Sequence, residues 1–329
     1  MSDAVVAIGS QVDGEVRTAT LDVLNGEARV VFLQDQPPAA RAETLRDATI
    51  VIVMRVGRDV SPEELAQAKR LRLVQFLSAG VDGIDFTTIP PDVVITDNAG
   101  AYAKPMAEHA VAMALTLAKR LPQRHAALAA GDFDQQTPNL TLDGAVCGIL
   151  GFGAVGTRTA ALMRAFGARI HAVNTSGHTT EPVEFVGTLA DVDAVLTAAD
   201  VLVIALPLTR TTRGIIGRRE LALMKPEAVV VNVARAGIIV EAALYEHLEA
   251  KRDFTAGLDV WWHEPTRGMD FRPDHPFLEL PNVIGSPHDS AIVAGSHAVA
   301  ARHAAENVRR YLRGEPAAGV VRREDYLEP

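Results

Sequence analysis

The sequence contains one cysteine, Cys147, so no intramolecular disulfide can form, and a reducing, cytoplasmic setting is expected. A basic surplus is also missing: 32 Lys and Arg stand against 41 Asp and Glu, a net charge of -9. Such a chain cannot neutralise a phosphate backbone, which excludes a nucleic-acid partner from the reading. The longest apolar runs, near 201–206 and 110–118, fall short of the roughly 20 residues that cross a bilayer, so no membrane partner is expected. The first residues, Met1-Ser2-Asp3-Ala4-Val5-Val6, lack the basic stretch and apolar core of a secretory signal. The 10 histidines include no His-x-x-x-His spacing, and one cysteine cannot make Cys-x-x-Cys, so no metal site is expected. Ser78 has no Gly-x-Ser-x-Gly around it, which argues against a serine hydrolase.

What the chain does have is apolar content of 48% over 329 residues, enough for about two domains with buried cores. One stretch organises the rest: Gly151-Phe152-Gly153-Ala154-Val155-Gly156. It follows the apolar run Ala145-Val146-Cys147-Gly148-Ile149-Leu150, which reads as a buried strand. It precedes 157–166, where Ala160, Leu162, Met163 and Phe166 suit a helix packed on a sheet. Strand, glycine turn and helix together make a dinucleotide-binding fingerprint. The first glycine permits the turn, the second lets backbone approach a pyrophosphate, and the third lets helix and strand pack. The helix N-terminus offers free N–H groups to the phosphates.

Before the fingerprint, residues 1–99 read as a first α/β unit. Strand-like runs lie at 30–33, 50–53, 71–77 and 93–95, with a helix at 39–47 and a capped helix start at Ser61-Pro62-Glu63-Glu64. The loop Ser78-Ala79-Gly80-Val81-Asp82-Gly83 could present backbone N–H groups to an anion or be an ordinary turn. Arg55, just past 50–53, could reach a substrate or stay solvated. A long helix is expected over 104–120, leading into the second domain, and 121–138, polar and proline-marked, reads as a connector. From the fingerprint onward strands at 169–174, 201–205, 228–233, 256–260 and 282–284 alternate with helices at 189–198, 219–224 and 241–249, which predicts a parallel sheet. A last helix, over about 291–313, must pack on something built earlier, most simply the first domain.

Three residues stand past strands of that second sheet: Arg235, Glu264 and His288. Ligands of doubly wound sheets lie beyond the carboxyl ends of the strands. Arginine binds a carboxylate in a fork, histidine exchanges protons near neutral pH, and a glutamate beside the imidazole fixes its orientation. Each alone has a bland role as a surface charge; the three after one fingerprint point to a site.

These residues resemble the D-isomer-specific 2-hydroxyacid dehydrogenase family over nearly the whole chain. The resemblance rests on Gly148 to Gly156, Leu206-Pro207-Leu208-Thr209 with Thr212-Arg213-Gly214, Met224-Lys225-Pro226, Val231-Asn232-Val233-Ala234-Arg235, Leu258-Asp259-Val260 with Glu264-Pro265, and Pro281-Asn282-Val283 with Ser286-Pro287-His288. It implies a hydride transfer between NAD(P)H and a small 2-oxo acid or D-2-hydroxy acid. Arg235 then binds the substrate, His288 is the acid/base, and Glu264 pairs with it. The substrate carboxylate would meet Ser78, Ala79, Gly80 and Val81, with Arg55 as a further candidate. The cofactor would meet Gly151, Phe152, Gly153, Ala154, Val155, Gly156, Asn174, Thr175, Ser176, Leu206, Pro207, Thr212, Val233, Ala234 and Asp259. The implied fold is two doubly wound, Rossmann-like parallel α/β sheets. A flavodoxin-like substrate domain (1–99 and 288–329) and a dinucleotide-binding domain (100–287) would flank an interdomain cleft. Asn98 and the helix after it would form one strand of the hinge. A homodimer through the dinucleotide-binding domain is implied as well.

Asn174 departs from the family pattern, which places an acid there to hold the ribose hydroxyls. With no carboxylate to repel a 2′-phosphate, NADP is favoured over NAD. Two alternatives stand beside this reading. One is a corepressor-like dinucleotide sensor, whose mark would be a damaged catalytic set. The other is a phosphite-type dehydrogenase of the same superfamily, which carries a lysine in the anion loop where Ser78-Ala79-Gly80-Val81 has none.

Overall fold

The computed structural model describes residues 3–265 and 270–327. The chain divides into two compact units. One holds the residues up to Tyr102 together with those from Val293 onward; the other is Ala103–Ile292. The changeovers thus lie a few residues beyond those expected after 99 and 287. The ends of the expected range, 1–2 and 328–329, lie outside the described residues.

The first unit runs β1 (Val5–Ile8), α1 (Gly14–Leu24), β2 (Arg29–Phe32), α2 (Pro38–Asp47), β3 (Ile50–Val53), α3 (Pro62–Gln67), β4 (Leu73–Phe76) and β5 (Val94–Thr96). The strands are parallel in the order β2-β1-β3-β4-β5, the flavodoxin-like arrangement. Strands β1, β3 and β4 are buried throughout, as expected for continuous apolar runs covered on both faces. Helix α3 starts at a capping box: the Ser61 side chain takes the Glu64 N–H and Glu64 returns the bond to the Ser61 N–H. The pairing β1–β2 and the helix α1 are not among the sequence expectations.

The second unit opens with α4 (Ala103–Ala118) and α5 (Leu121–Ala129). Helix α5 corrects the expectation of a connector over 121–138. Pro122 falls in the first turn, where proline costs no hydrogen bond, and the alanines behind it favour helix. The polar character has its own cause, since no residue of α5 is buried. There follow β6 (Val146–Leu150), α6 (Ala154–Ala165), β7 (Arg169–Val173), β8 (Phe185–Gly187), α7 (Val192–Ala198), β9 (Val201–Ile204), α8 (Arg218–Leu223), β10 (Val229–Asn232), α9 (Glu241–Ala250), β11 (Thr255–Leu258) and β12 (Val283–Gly285). These form one parallel sheet ordered β12-β11-β10-β9-β6-β7-β8. The chain moves outward from β6 through β7 to β8, then restarts at β9 on the other side of β6. That reversal is the topological switch point where doubly wound sheets bind dinucleotides.

The last helix, α10 (Ser296–Leu312), begins later than expected and returns to the first unit. Its Ala304, Ala305 and Val308 join a core with Val6, Ile8, Leu24 and Ile52. Small residues on the helix let it lie close to α1 and the sheet. Among the described residues no helix is long and apolar enough to cross a membrane.

Candidate active site

The strands of the second sheet end level with one another. Leu150 is in register with Val173 and Ile204, Asn232 with Ile204 and Leu258, and Leu258 with Gly285. Everything that follows these residues therefore emerges along one edge. That edge carries the glycine turn after β6, Asn174 after β7, Leu206 and Pro207 after β9, Arg235 after β10, Asp259 and Glu264 after β11, and His288 after β12.

The turn after β6 is dictated by sterics. Gly151 sits at φ 100°, and a Cβ there would stand 2.6 Å from the Ala205 carbonyl. At Gly156 a Cβ would come within contact distance of the Gly151 carbonyl oxygen, so the helix could not start so close to the strand. Gly153 is different: a Cβ would meet nothing within 4 Å. No protein atom requires glycine at that place, and a group approaching from outside would. Gly153 is also the N-cap of α6 and supplies no side-chain acceptor, so the N–H groups of Ala154, Val155 and Gly156 point out of the helix uncapped. An open cradle and an uncapped helix start fit a dinucleotide pyrophosphate. Phe152 is buried beneath the turn, whereas Gly153 and Ala154 are exposed.

Asn174 is occupied within its own loop. Its Nδ2 donates to the His178 carbonyl at 2.8 Å, and its Oδ1 accepts from the N–H groups of Ser176 and Gly177 at 3.1 and 2.7 Å. The side chain shapes the loop, leaving Thr175 and Ser176 exposed on it. After β9, the Thr212 hydroxyl donates to the Pro207 carbonyl at 2.6 Å and closes the turn that carries Leu206 and Pro207. Val233 and Ala234 are buried in the crossing from β10 to Arg235.

The structure brings Arg235, Glu264 and His288 together. His288 Nδ1 lies 2.9 and 2.8 Å from the two oxygens of Glu264. Among the described residues Nε2 of that ring has no hydrogen-bond partner. Burial would push the Glu264 carboxyl up, but the hydrogen bond and charge of His288, the Trp261 N–H and the charge of Arg235 outweigh it and hold it below the ordinary value. The Arg235 guanidinium is anchored by Nη1 donating to the Ala234 carbonyl at 2.8 Å. Trp261, Phe271 and Leu278 wall a cavity of about 370 Å³ that His288 and Glu264 also line.

His288 has φ 55°, a left-handed backbone that costs a histidine about 1–2 kcal/mol. The surroundings enforce it. The Asp259 carboxylate accepts from Ser286 Oγ at 2.6 Å, from the Asp289 N–H at 3.0 Å and from the Ser290 N–H at 3.2 Å. Trp261 Nε1 donates to the Ser286 carbonyl at 2.9 Å. Asp259 is buried, which would raise its carboxyl, but these bonds and the charge of His109 hold it below the ordinary value. Sequence reasoning assigned Asp259 to the cofactor and read the Trp261-Trp262 pair as pocket lining or core packing; Trp261 does line the cavity, whereas the bonds of Ser286 and His109 emerge only from the pairing of distant residues.

In the first unit, Arg55 is exposed, its backbone N–H held at 3.0 Å by the carboxylate of Asp59, which also takes Ser10 Oγ and the Met54 N–H. The loop from Ser78 through Ala79 and Gly80 to Val81 starts where the Ser78 carbonyl accepts the Asn98 N–H at 2.9 Å. Val81 is buried and Ala79 exposed.

Residues 111–290 match the D-isomer specific 2-hydroxyacid dehydrogenase, NAD binding domain. The chain belongs to that family. It is 34% identical over 287 residues to the D-3-phosphoglycerate dehydrogenase of Methanocaldococcus jannaschii, covering 85% of this chain and 52% of the relative. The chain thus spans about half the length of that relative. It is 31% identical over 302 residues to the glyoxylate reductase of Aeropyrum pernix, covering 88% of each. Among solved structures, the NADPH-dependent glyoxylate/hydroxypyruvate reductase of Sinorhizobium meliloti in complex with NADP and sulfate aligns with a TM-score of 0.78. Identity is 25%, with 98% of this chain and 99% of that one covered.

Proposed function

We propose that the protein is an NAD(P)-dependent oxidoreductase that interconverts a small 2-oxo acid and the matching D-2-hydroxy acid. One observation carries the reading: the His288–Glu264 pair past the carboxyl ends of the strands, with Nδ1 engaged and, among the described residues, no hydrogen-bond partner at Nε2. An ionised Glu264 accepts only from an Nδ1–H, so proton exchange with a substrate falls to Nε2. In reduction Nε2–H gives its proton to the oxygen on C2; in oxidation Nε2 takes it back. Arg235 sets its charge beside the same pair, where it can bind the carboxylate and stabilise negative charge developing on that oxygen. A bound nicotinamide dinucleotide supplies or accepts the hydride at C2. The glycine turn and the start of α6 would hold its pyrophosphate, with Leu206, Pro207, Thr212, Val233 and Ala234 along its length.

We favour NADP over NAD. No carboxylate follows β7, and the loop shaped by Asn174 exposes Thr175 and Ser176 as hydroxyl donors to a 2′-phosphate. The Sinorhizobium meliloti reductase is NADPH-dependent by its own description, which supports this choice. A cytoplasmic homodimer through the dinucleotide-binding unit completes the reading; exposed Leu121, Leu128 and Phe133 on and after α5 support such an interface. The test is a screen of glyoxylate, hydroxypyruvate and longer 2-oxo acids with NADPH and NADH, and of 3-phosphoglycerate with NADP and NAD. Turnover is expected with at least one acid, with kcat/KM for NADPH no lower than for NADH. No turnover of any acid with either cofactor would refute the reading.

A further inference from the structure

The His288 turn is tied to a second histidine that the mechanism above does not use. Helix α4 lies on β11 at a place where the strand has glycine: a Cβ on Gly257 would stand 3.1 Å from Met113. His109 precedes Met113 by one helical turn and lies on the same face. It therefore reaches past the end of β11, where Asp259 and Ser286 stand. His109 Nε2 is 2.9 Å from Ser286 Oγ, and 3.8 Å from Asp259 Oδ1. Ser286 has one hydroxyl proton. It goes to the ionised Asp259 at 2.6 Å, which can only accept. The bond to His109 must then run the other way, with Nε2–H donating to Ser286 Oγ. The chain His109 → Ser286 → Asp259 has a single direction, and its end is the carboxylate that grips the N–H groups of Asp289 and Ser290.

We propose that His109 is a positioning residue for His288. Its Nε2–H fixes the Ser286 hydroxyl, the hydroxyl fixes Asp259, and Asp259 holds the left-handed turn that aims the imidazole. His109 touches no reacting atom in this account. The inference rests on the reading of His288 as the acid/base. An N–H donor is what the position requires; charge is not.

The test uses the full chain and four variants: His109→Phe, which removes the donor and keeps bulk; His109→Gln, which keeps an N–H; Ser286→Ala, which cuts the link; and the double His109→Phe/Ser286→Ala. His109→Phe and Ser286→Ala should each lower kcat roughly fivefold to tenfold, the loss of one hydrogen bond's worth of ordering. KM for the 2-oxo acid and the Kd for NADPH should stay within about twofold. The double variant should be no slower than the slower single, because both cut one chain. His109→Gln should retain at least about half of the wild-type kcat, as its amide can replace the N–H. Unchanged kcat in both singles, multiplying effects in the double, or a His109→Gln as slow as His109→Phe would overturn the proposal. If the wild type turns over no 2-oxo acid, the functional reading fails and ring ¹⁵N NMR still decides this one. His109→Phe should move the ring signals of His288 and His109→Gln should leave them in place. His288 signals unmoved by His109→Phe, or a wild-type His109 protonated only on Nδ1, would overturn it.

Discussion

Glu264 grips the Nδ1 edge of His288 with both oxygens, at 2.9 and 2.8 Å, while its Oε1 also takes the Trp261 N–H at 3.1 Å. The carboxylate thus fixes both the tautomer and the tilt of the ring. Glu264→Gln keeps one acceptor and replaces the other with a donor. It should lower kcat about tenfold or more with NADPH affinity unchanged, since general acid–base work depends on the proton's place. Steady-state kinetics beside a fluorescence titration of NADPH check this. The pair also predicts an acid dependence. Because the carboxyl is held below its ordinary 4.5, its stabilising contribution is full above that value and lost as pH falls through the lower native one. The Tm difference between wild type and Glu264→Gln should therefore shrink as pH falls below 4.5.

Arg235→Lys keeps the charge and loses the planar fork. KM for the 2-oxo acid should rise about tenfold or more and kcat should fall as well, because the clamp orients as it binds. The Kd for NADPH should not move. Wild-type kinetics in this variant would remove Arg235 from the site.

The fingerprint glycines separate fold from binding. Gly156→Ala forces a methyl onto the Gly151 carbonyl and should destabilise the protein by about 1–3 kcal/mol, seen as a lower Tm. Gly153→Ala meets open space, so Tm should stay while the Kd for the dinucleotide rises about tenfold or more. Equal affinity in a folded Gly153→Ala would mean that nothing binds close to that turn.

Asn174 is a poor place to test cofactor choice, since replacing its Nδ2 by an oxygen sets a carboxylate against the His178 carbonyl. Thr175 is exposed on the same loop and free of that duty. Thr175→Glu should lower kcat/KM for NADPH at least about tenfold more than for NADH, by like-charge repulsion of the 2′-phosphate. An equal loss with both cofactors would count against the NADP reading.

The parts of the site legible in the sequence are those written in short segments. Strand, glycine turn and helix lie within Val146–Leu150 and Ala154–Ala165, and Arg235, Glu264 and His288 each follow an apolar run that had to be a strand. Helix α5 was obscured because Pro122 and the polar residues after it read as a connector, whereas that proline sits in the first helical turn, where it is tolerated. The link from His109 to Ser286 joins residues 177 positions apart, and no local pattern encodes it. The same holds for the left-handed backbone of His288, a conformation the residue type disfavours and only tertiary bonds impose. Asn174 is instructive in another way: its identity signals a missing acid, but its bonds show a loop builder.

The most direct test of the central claim is single-turnover oxidation of bound NADPH by a saturating 2-oxo acid in His288→Asn. Asparagine tolerates the left-handed backbone at φ 55°, so the turn survives while the imidazole is gone. The account predicts a rate roughly a hundredfold or more below wild type, with the Kd for NADPH unchanged. A wild-type rate in that variant would contradict the assignment of His288 as the group that moves the proton.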